Sequence, residues 1–174
     1  MTNITFILGG ARSGKSRHGE DLITAFPSPW HYIATAEALD AEMTTRIVEH
    51  QTRRGPGWST TEAPLDLAPA LLDAEQAARP VLVDCLTLWL SNLMAAGRDI
   101  DQESTALCQT LAAMTVPVVL ISNEVGLGIV PDNALARRFR DSAGWLNQTI
   151  AATADKVIFV AAGLPLSLKP SPNE

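Results

Sequence analysis

At 174 residues, with a hydrophobic fraction of 47% and a formal charge of −6, the chain can bury one full core, and a single domain over 1–174 is expected. The acidic balance and the lack of a basic stripe argue against a general nucleic-acid binder, and the nearest basic cluster, Arg53 and Arg54, reads as a solvated helix end. No apolar run reaches the roughly 18 residues of a membrane span, no basic segment precedes the first apolar stretch, and Cys85 and Cys108 lie outside any metal or redox spacing, so a cytoplasmic protein with two free, buried thiols is expected.

Ile4–Leu8 is an apolar run that predicts a buried strand, followed by a Gly-rich turn and a helix over Lys15–Ala25. Pro27 and Pro29 mark a loop, and His31–Ala34 reads as the second strand. Ala41–Arg54 reads as a helix, with Met43 and Ile47 on one face and Gly55-Pro56-Gly57 as its stop. Trp58–Glu62 reads as a short strand closed by Pro64. Then come a helix over Leu65–Ala78 and a strand over Val81–Asp84 that ends on an acid. Leu86–Ala95 and Gln102–Met114 read as helices, Val116–Ser122 as a β-branched strand, and Asn123–Pro131 as a Gly-containing loop. Asn133–Ala154 reads as a long helix, because Leu135, Phe139, Ala143, Leu146 and Ile150 recur at helical steps without a proline between them. Val157–Val160 is the last clear strand, and the Pro-rich tail beyond Lys169 is expected to fray. Strands alternating with helices predict a mainly parallel sheet with helices on both faces.

The first turn carries chemistry. Gly9, Gly10, Ala11, Arg12, Ser13, Gly14, Lys15 and Ser16 match G-x-x-x-x-G-K-[ST] between a predicted strand and a predicted helix. The glycines let successive backbone N–H groups converge on phosphate oxygens. The helix that follows adds the positive end of its dipole. Lys15 supplies a charge for the β- and γ-phosphates, and the Ser16 hydroxyl can ligate Mg²⁺. With this loop the α/β pattern becomes that of a P-loop NTPase of RecA-like type. Asp84 closes a neighbouring strand, where such proteins place an acid for Mg²⁺. The same residue in the same place could instead cap the following helix.

His50 falls on the predicted Ala41–Arg54 helix, with Arg46 four residues before it and Arg54 four after, and Arg53 close to the same face. A neutral imidazole flanked by guanidinium groups can attack a phosphate, since the cations keep its lone pair free and balance the charge of the group under attack. Met43, Ile47 and His50 also share a stripe, so the spacing allows an ordinary interface residue as well. Packing accounts for His18 and His31.

Several segments together resemble one family. They are the phosphate loop with Arg17; Tyr32–Ala36, Asp40–Met43, Arg46, Ile47 and His50; Trp58–Glu62; Asp84–Thr87; and Asn123–Pro131 with Leu135, Ala136, Arg137, Phe139, Arg140, Asp141 and Asn147. They are similar to the bifunctional adenosylcobinamide kinase / adenosylcobinamide-phosphate guanylyltransferase family of cobalamin biosynthesis, over nearly the whole chain from Ile4 to Lys169.

The resemblance implies two reactions. A nucleoside triphosphate, ATP or GTP, phosphorylates the aminopropanol arm of adenosylcobinamide. GTP then gives its GMP part to adenosylcobinamide phosphate through a guanylylated histidine, which maps onto His50. It further implies that Gly9–Ser16, Ala34, Thr35, Ala36, Gln51, Thr52, Arg53, Arg54, Glu62 and Asp84 line the nucleotide site. Ser16 and Asp84 are the expected Mg²⁺ contacts, and a homo-oligomer, a trimer, is the expected assembly. Glu49 precedes His50, so no second histidine competes for the role. Two other functions fit a phosphate loop: a different small-molecule P-loop kinase without covalent nucleotide, and a nucleotide-driven switch or motor acting on a macromolecule. The acidic charge and the short chain argue against the second.

Overall fold

The computed structural model describes residues 3–37, 52 and 54–170. Its strands are β1 (Ile4–Gly9), β2 (Trp30–Ala34), β3 (Trp58–Glu62), β4 (Val81–Asp84), β5 (Val118–Asn123), β6 (Lys156–Ala161) and β7 (Leu164–Lys169). The helices are α1 (Lys15–Thr24), α2 (Leu67–Gln76), α3 (Leu86–Ala95), α4 (Ile100–Ala113) and α5 (Ala134–Thr153). One seven-stranded sheet runs in the order β3-β2-β4-β5-β1-β6-β7. Neighbours from β1 to β6 pair in parallel, and β7 runs antiparallel to β6.

The central strands are apolar at nearly every position because both faces are covered. Ile4, Phe6, Leu8, Val81, Val83, Val118 and Leu120 face one way, onto α2, α3, α4 and α5. Ile7, Leu82, Val119, Ile121, Ile158 and Val160 face the other way, where Ile23 of α1 packs. This is the period-two alternation of a strand. Each fully buried Leu, Ile or Phe contributes about 1.5–3 kcal/mol. Gly19 lets α1 lie close on this second face, since a Cβ there would stand 3.0 Å from Leu82 Cδ1 and 3.1 Å from Ile121 Cδ1. Helices therefore occur on both faces, and among the described residues α1 is the main cover of the second one, with Leu88 of α3 packing at its margin.

Several boundaries differ from the sequence reading. Helix α4 begins at Ile100 rather than Gln102, because Asp99 caps it by accepting from the Asp101 and Gln102 N–H groups. Pro117 delays β5 to Val118, and α2 starts at Leu67, two residues after the predicted Leu65. Strand β7 was not anticipated: Pro165 weakens its strand signal, but an edge strand tolerates proline. The turn before it, Ala162-Gly163, takes positive φ at both residues (52° and 78°), as a two-residue hairpin requires. Cys85 is buried as expected, whereas Cys108 is only half-buried. The helix predicted over 41–54 lies outside the described residues except for Thr52 and Arg54. Among the described residues no helix is long and apolar enough to cross a membrane.

Candidate functional site

In a parallel sheet all strands end on the same edge. The registers pair Gly9 with Asn123, Ala34 with Asp84 and with Glu62, and Asp84 with Ile121. Gly9, Ala34, Glu62, Asp84 and Asn123 therefore share one rim, where open α/β sheets bind ligands. Strand β5 stands between the strand of the phosphate loop and the strand that ends on Asp84.

The loop Gly9–Ser16 turns sharply off this rim into α1. Arg12 sits at φ 54° and Gly14 at φ 97°, and Ser13 N–H donates to the Gly10 carbonyl at 3.4 Å. Gly14 is the N-cap of α1 and no side chain caps the helix, which leaves its first-turn N–H groups for a ligand. Gly9 has no room for a side chain: a Cβ would lie 2.5 Å from the Val160 carbonyl and 2.7 Å from Ser13 Oγ. The Lys15 side chain folds back over the loop, 8% exposed, and Nζ donates to the Gly10 carbonyl at 2.9 Å. Together these features form an anion cradle of backbone amides closed by one ammonium group.

Two contacts that the sequence did not announce buttress the cradle. Gly163 N–H, in the β6–β7 turn, donates to the Ser13 carbonyl at 2.8 Å, and Glu124 N–H donates to the Gly9 carbonyl at 3.1 Å. The first needs Gly14 to be a glycine, since a Cβ there would stand 3.2 Å from Gly163 Cα. The Asn123 end of β5 is fixed in turn, its N–H donating to Thr87 Oγ1 at 2.7 Å and its carbonyl accepting from Asn147 Nδ2 at 3.4 Å.

Asp84 does not cap the following helix: Cys85 is the N-cap of α3, with no side-chain capping bond. Its Oδ2 accepts instead from Tyr32 Oη at 3.2 Å. Burial, and then the Asp84 carboxylate, hold the Tyr32 phenol well above its ordinary pKa against the opposing Arg54 charge, so it stays protonated and donates. The Arg54 guanidinium lies over the Tyr32 ring, 3.4 Å from its centroid, and among the described residues its buried Nη1 has no hydrogen-bond partner. Arg54 is thus no solvated helix end. Trp58 meets the same ring edge-on at 6.2 Å.

The remaining expected residues divide into three groups. Ala34 and Ala36 are half-buried at the rim, and Glu62 and Thr52 are exposed. Thr35 is fully buried and its hydroxyl is committed to the backbone, donating to the Cys85 carbonyl at 2.6 Å and accepting from Cys85 N–H at 2.8 Å. Gln51, Arg53 and His50 lie outside the described residues. His31 is a packing residue, with Nδ1 2.7 Å from Ser59 Oγ; burial and then Arg79 lower its pKa, opposed by Asp73. Burial, then the Asp84 charge, push the Cys85 thiol up to about 11, which makes it unreactive at neutral pH.

Thr35→Val tests the structural role of that hydroxyl. It leaves the Cys85 N–H buried and unpaired at about 1–3 kcal/mol, while the Cys85 carbonyl keeps its bond from Trp89 N–H at 3.2 Å. Urea unfolding should show a loss of about 1–3 kcal/mol; a loss below about 0.5 kcal/mol would contradict the role.

Ser16, in the first turn of α1, and Asp84 offer hard oxygen donors of the kind Mg²⁺ prefers. Among the described residues no group of three or more His, Cys, Asp or Glu could hold a metal. These two residues therefore fit an ion that takes its remaining ligands from phosphate and water.

A family model described as cobinamide kinase / cobinamide phosphate guanyltransferase matches residues 5–168. The chain is 49% identical over 168 residues to the bifunctional adenosylcobalamin biosynthesis protein CobP of Pseudomonas aeruginosa, covering 95% of this chain and 97% of that one. It is 41% identical over 179 residues to the bifunctional adenosylcobalamin biosynthesis protein CobU of Salmonella typhimurium, covering 94% and 98%. Among solved structures, a prototypical ATPase from the type III secretion system of pathogenic bacteria aligns with TM-score 0.55 and 13% identity, over 95% of this chain and 56% of that one. The P4 protein from bacteriophage phi6 in complex with ADP aligns with TM-score 0.50 and 14% identity, over 99% and 57%. At such identities these two show the fold alone, that of a P-loop NTPase.

Proposed function

The chain belongs to the cobinamide kinase / cobinamide phosphate guanyltransferase family, and we propose that it performs both reactions from one nucleotide cradle, as a homo-oligomer, with His50 as the covalent relay. The observation that carries this reading is the amide-and-ammonium cradle of Gly9–Ser16 on the same rim as Asp84.

In the kinase step the hydroxyl of the aminopropanol arm of adenosylcobinamide attacks the γ-phosphorus of ATP or GTP, and the bond to the leaving nucleoside diphosphate breaks. Lys15 and the loop amides hold the charge that develops on the phosphate oxygens. Ser16 and Asp84 would hold Mg²⁺, which supplies further charge neutralisation when bound. In the transfer step an imidazole nitrogen of His50 attacks the α-phosphorus of GTP and pyrophosphate leaves. An oxygen of adenosylcobinamide phosphate then attacks the phosphoramidate, the P–N bond breaks, and adenosylcobinamide-GDP forms with His50 restored. This splits one hard displacement into two easier ones.

Arg54 supports the placement of His50. It stands four residues after His50 in the chain, a tether that spans at most about 14 Å, and its buried Nη1 is a donor without a partner among the described residues. The steps demand attack at different phosphorus atoms, so either the segment carrying His50 shifts or the nucleotide takes two poses.

A double-label experiment tests the reading. The protein receives adenosylcobinamide with γ-labelled ATP, then α-labelled GTP. Both labels are expected in one corrinoid product. A corrinoid that takes the γ-label and never the α-label would reduce the protein to a small-molecule kinase.

A further inference from the structure

Helix α5 reaches beyond the sheet. Asn147 is level with the Asn123 carbonyl at the end of β5, while the helix begins at Ala134. At about 1.5 Å per residue, Ala134 lies about 20 Å along the helix axis from that contact, with Ala143 and Phe139 between them still packed on the core. The first turn of α5 and the β5–α5 connection, residues 124–133, stand as an overhang beside the phosphate loop, to which Glu124 N–H is bonded.

This overhang is built firmly and dressed with apolar groups. Asn133 Oδ1 caps α5 by accepting from Ala136 N–H at 2.7 Å, and Arg137 Nη1 donates to the Pro131 and Asp132 carbonyls at 2.9 and 2.7 Å. Glu124 Oε1 accepts from Gly126 N–H at 2.5 Å, which closes the near end of the loop. On that frame Leu127, Ile129 and Leu135 are 83%, 97% and 69% exposed, and Val130 is exposed too. Single exposed apolar side chains are ordinary, but a cluster held out by polar clamps beside a ligand site marks a binding surface.

We propose that this overhang is the wall against which the corrinoid acceptor lies during phosphorylation, with Leu127, Ile129 and Val130 covering the methyl-bearing edge of the macrocycle. The inference rests on the kinase reading above. A hydroxyl that attacks the γ-phosphorus must arrive from the open side of the cradle, and a bulky ring attached to that hydroxyl must rest on whatever rises there. The loop that continues from the strand next to β1 is in that position. A corrin ring is broad and largely apolar with amide arms at its rim. It matches branched aliphatic side chains backed by a polar frame.

The test uses the full chain and the double variant Leu127→Ser/Ile129→Ser. Both side chains are solvent-exposed, so the fold should survive, which a melting curve checks. The KM for adenosylcobinamide in the kinase reaction should rise at least about tenfold, as expected from losing two apolar contacts. The affinity for GTP in the absence of corrinoid should stay within twofold, roughly the scatter of such measurements, and sedimentation should show the same assembly. An unchanged corrinoid KM would overturn the proposal. So would dissociation of the assembly, which would make the overhang a contact between copies of the chain. If the unaltered protein phosphorylates no corrinoid at all, the functional reading itself fails first.

Discussion

Lys15→Ala is expected to lower kcat/KM for both phosphoryl and guanylyl transfer by at least about a hundredfold. Lys15 is 8% exposed, and its ammonium is already aimed across the loop at the Gly10 carbonyl. A triphosphate in the cradle exchanges this neutral acceptor for charged oxygens, and hydrogen bonds to charged groups contribute about 1.5–3 kcal/mol each. Where such a donor faces charge that grows in the transition state, its removal typically costs about 10²–10³ in kcat. Both reactions should suffer because both nucleotides enter the same cradle. The fold should not, since alanine suits the first position of a helix and a buried cation is removed. Steady-state kinetics of each half-reaction, with a thermal melt, reads this directly. Wild-type rates in either half-reaction would mean that its nucleotide binds elsewhere. Lys15→Arg should rescue poorly, because the planar guanidinium does not replace a compact ammonium in so tight a turn.

His50→Ala should separate the two activities. Guanylyl transfer should fall by about 10³ or more, since no other group accepts the nucleotidyl part. Phosphorylation of adenosylcobinamide should stay within about threefold, because attack at the γ-phosphorus uses the substrate's own hydroxyl. The measurement is product analysis with adenosylcobinamide as the kinase acceptor and, separately, with its phosphate as the guanylyl acceptor. Equal loss of both activities in a folded variant would assign His50 to common nucleotide binding.

Local patterns in the chain carried the cradle, and long-range topology hid its supports. Gly9–Ser16 is legible because the turn, the charge and the helix start are consecutive, and the structure places the start of α1 at Lys15 as expected. Asp84 is legible as the end of an apolar run. That it bonds to Tyr32, and does not cap α3, depends on β2 lying beside β4, an adjacency that no spacing in the chain announces. Gly163 under Ser13, and Glu124 N–H on the Gly9 carbonyl, likewise follow from the sheet order. Thr35 shows the opposite case: its place at the end of β2 points to a ligand contact, and its hydroxyl is taken up by the Cys85 peptide group. The overhang of α5 was readable as a long helix, but not as a wall, because only its packing at Phe139, Ala143 and Asn147 shows how much of it rises above the rim. Strand β7 was missed where an edge strand tolerates the proline that a central strand would not.

The most direct test of the covalent relay is the intact mass of the protein after exposure to GTP and Mg²⁺ alone. The account predicts one guanylyl adduct per chain, carried by the peptide that contains His50, lost in acid, stable in base, and discharged by adenosylcobinamide phosphate. No adduct, or an adduct on any other residue, would contradict it.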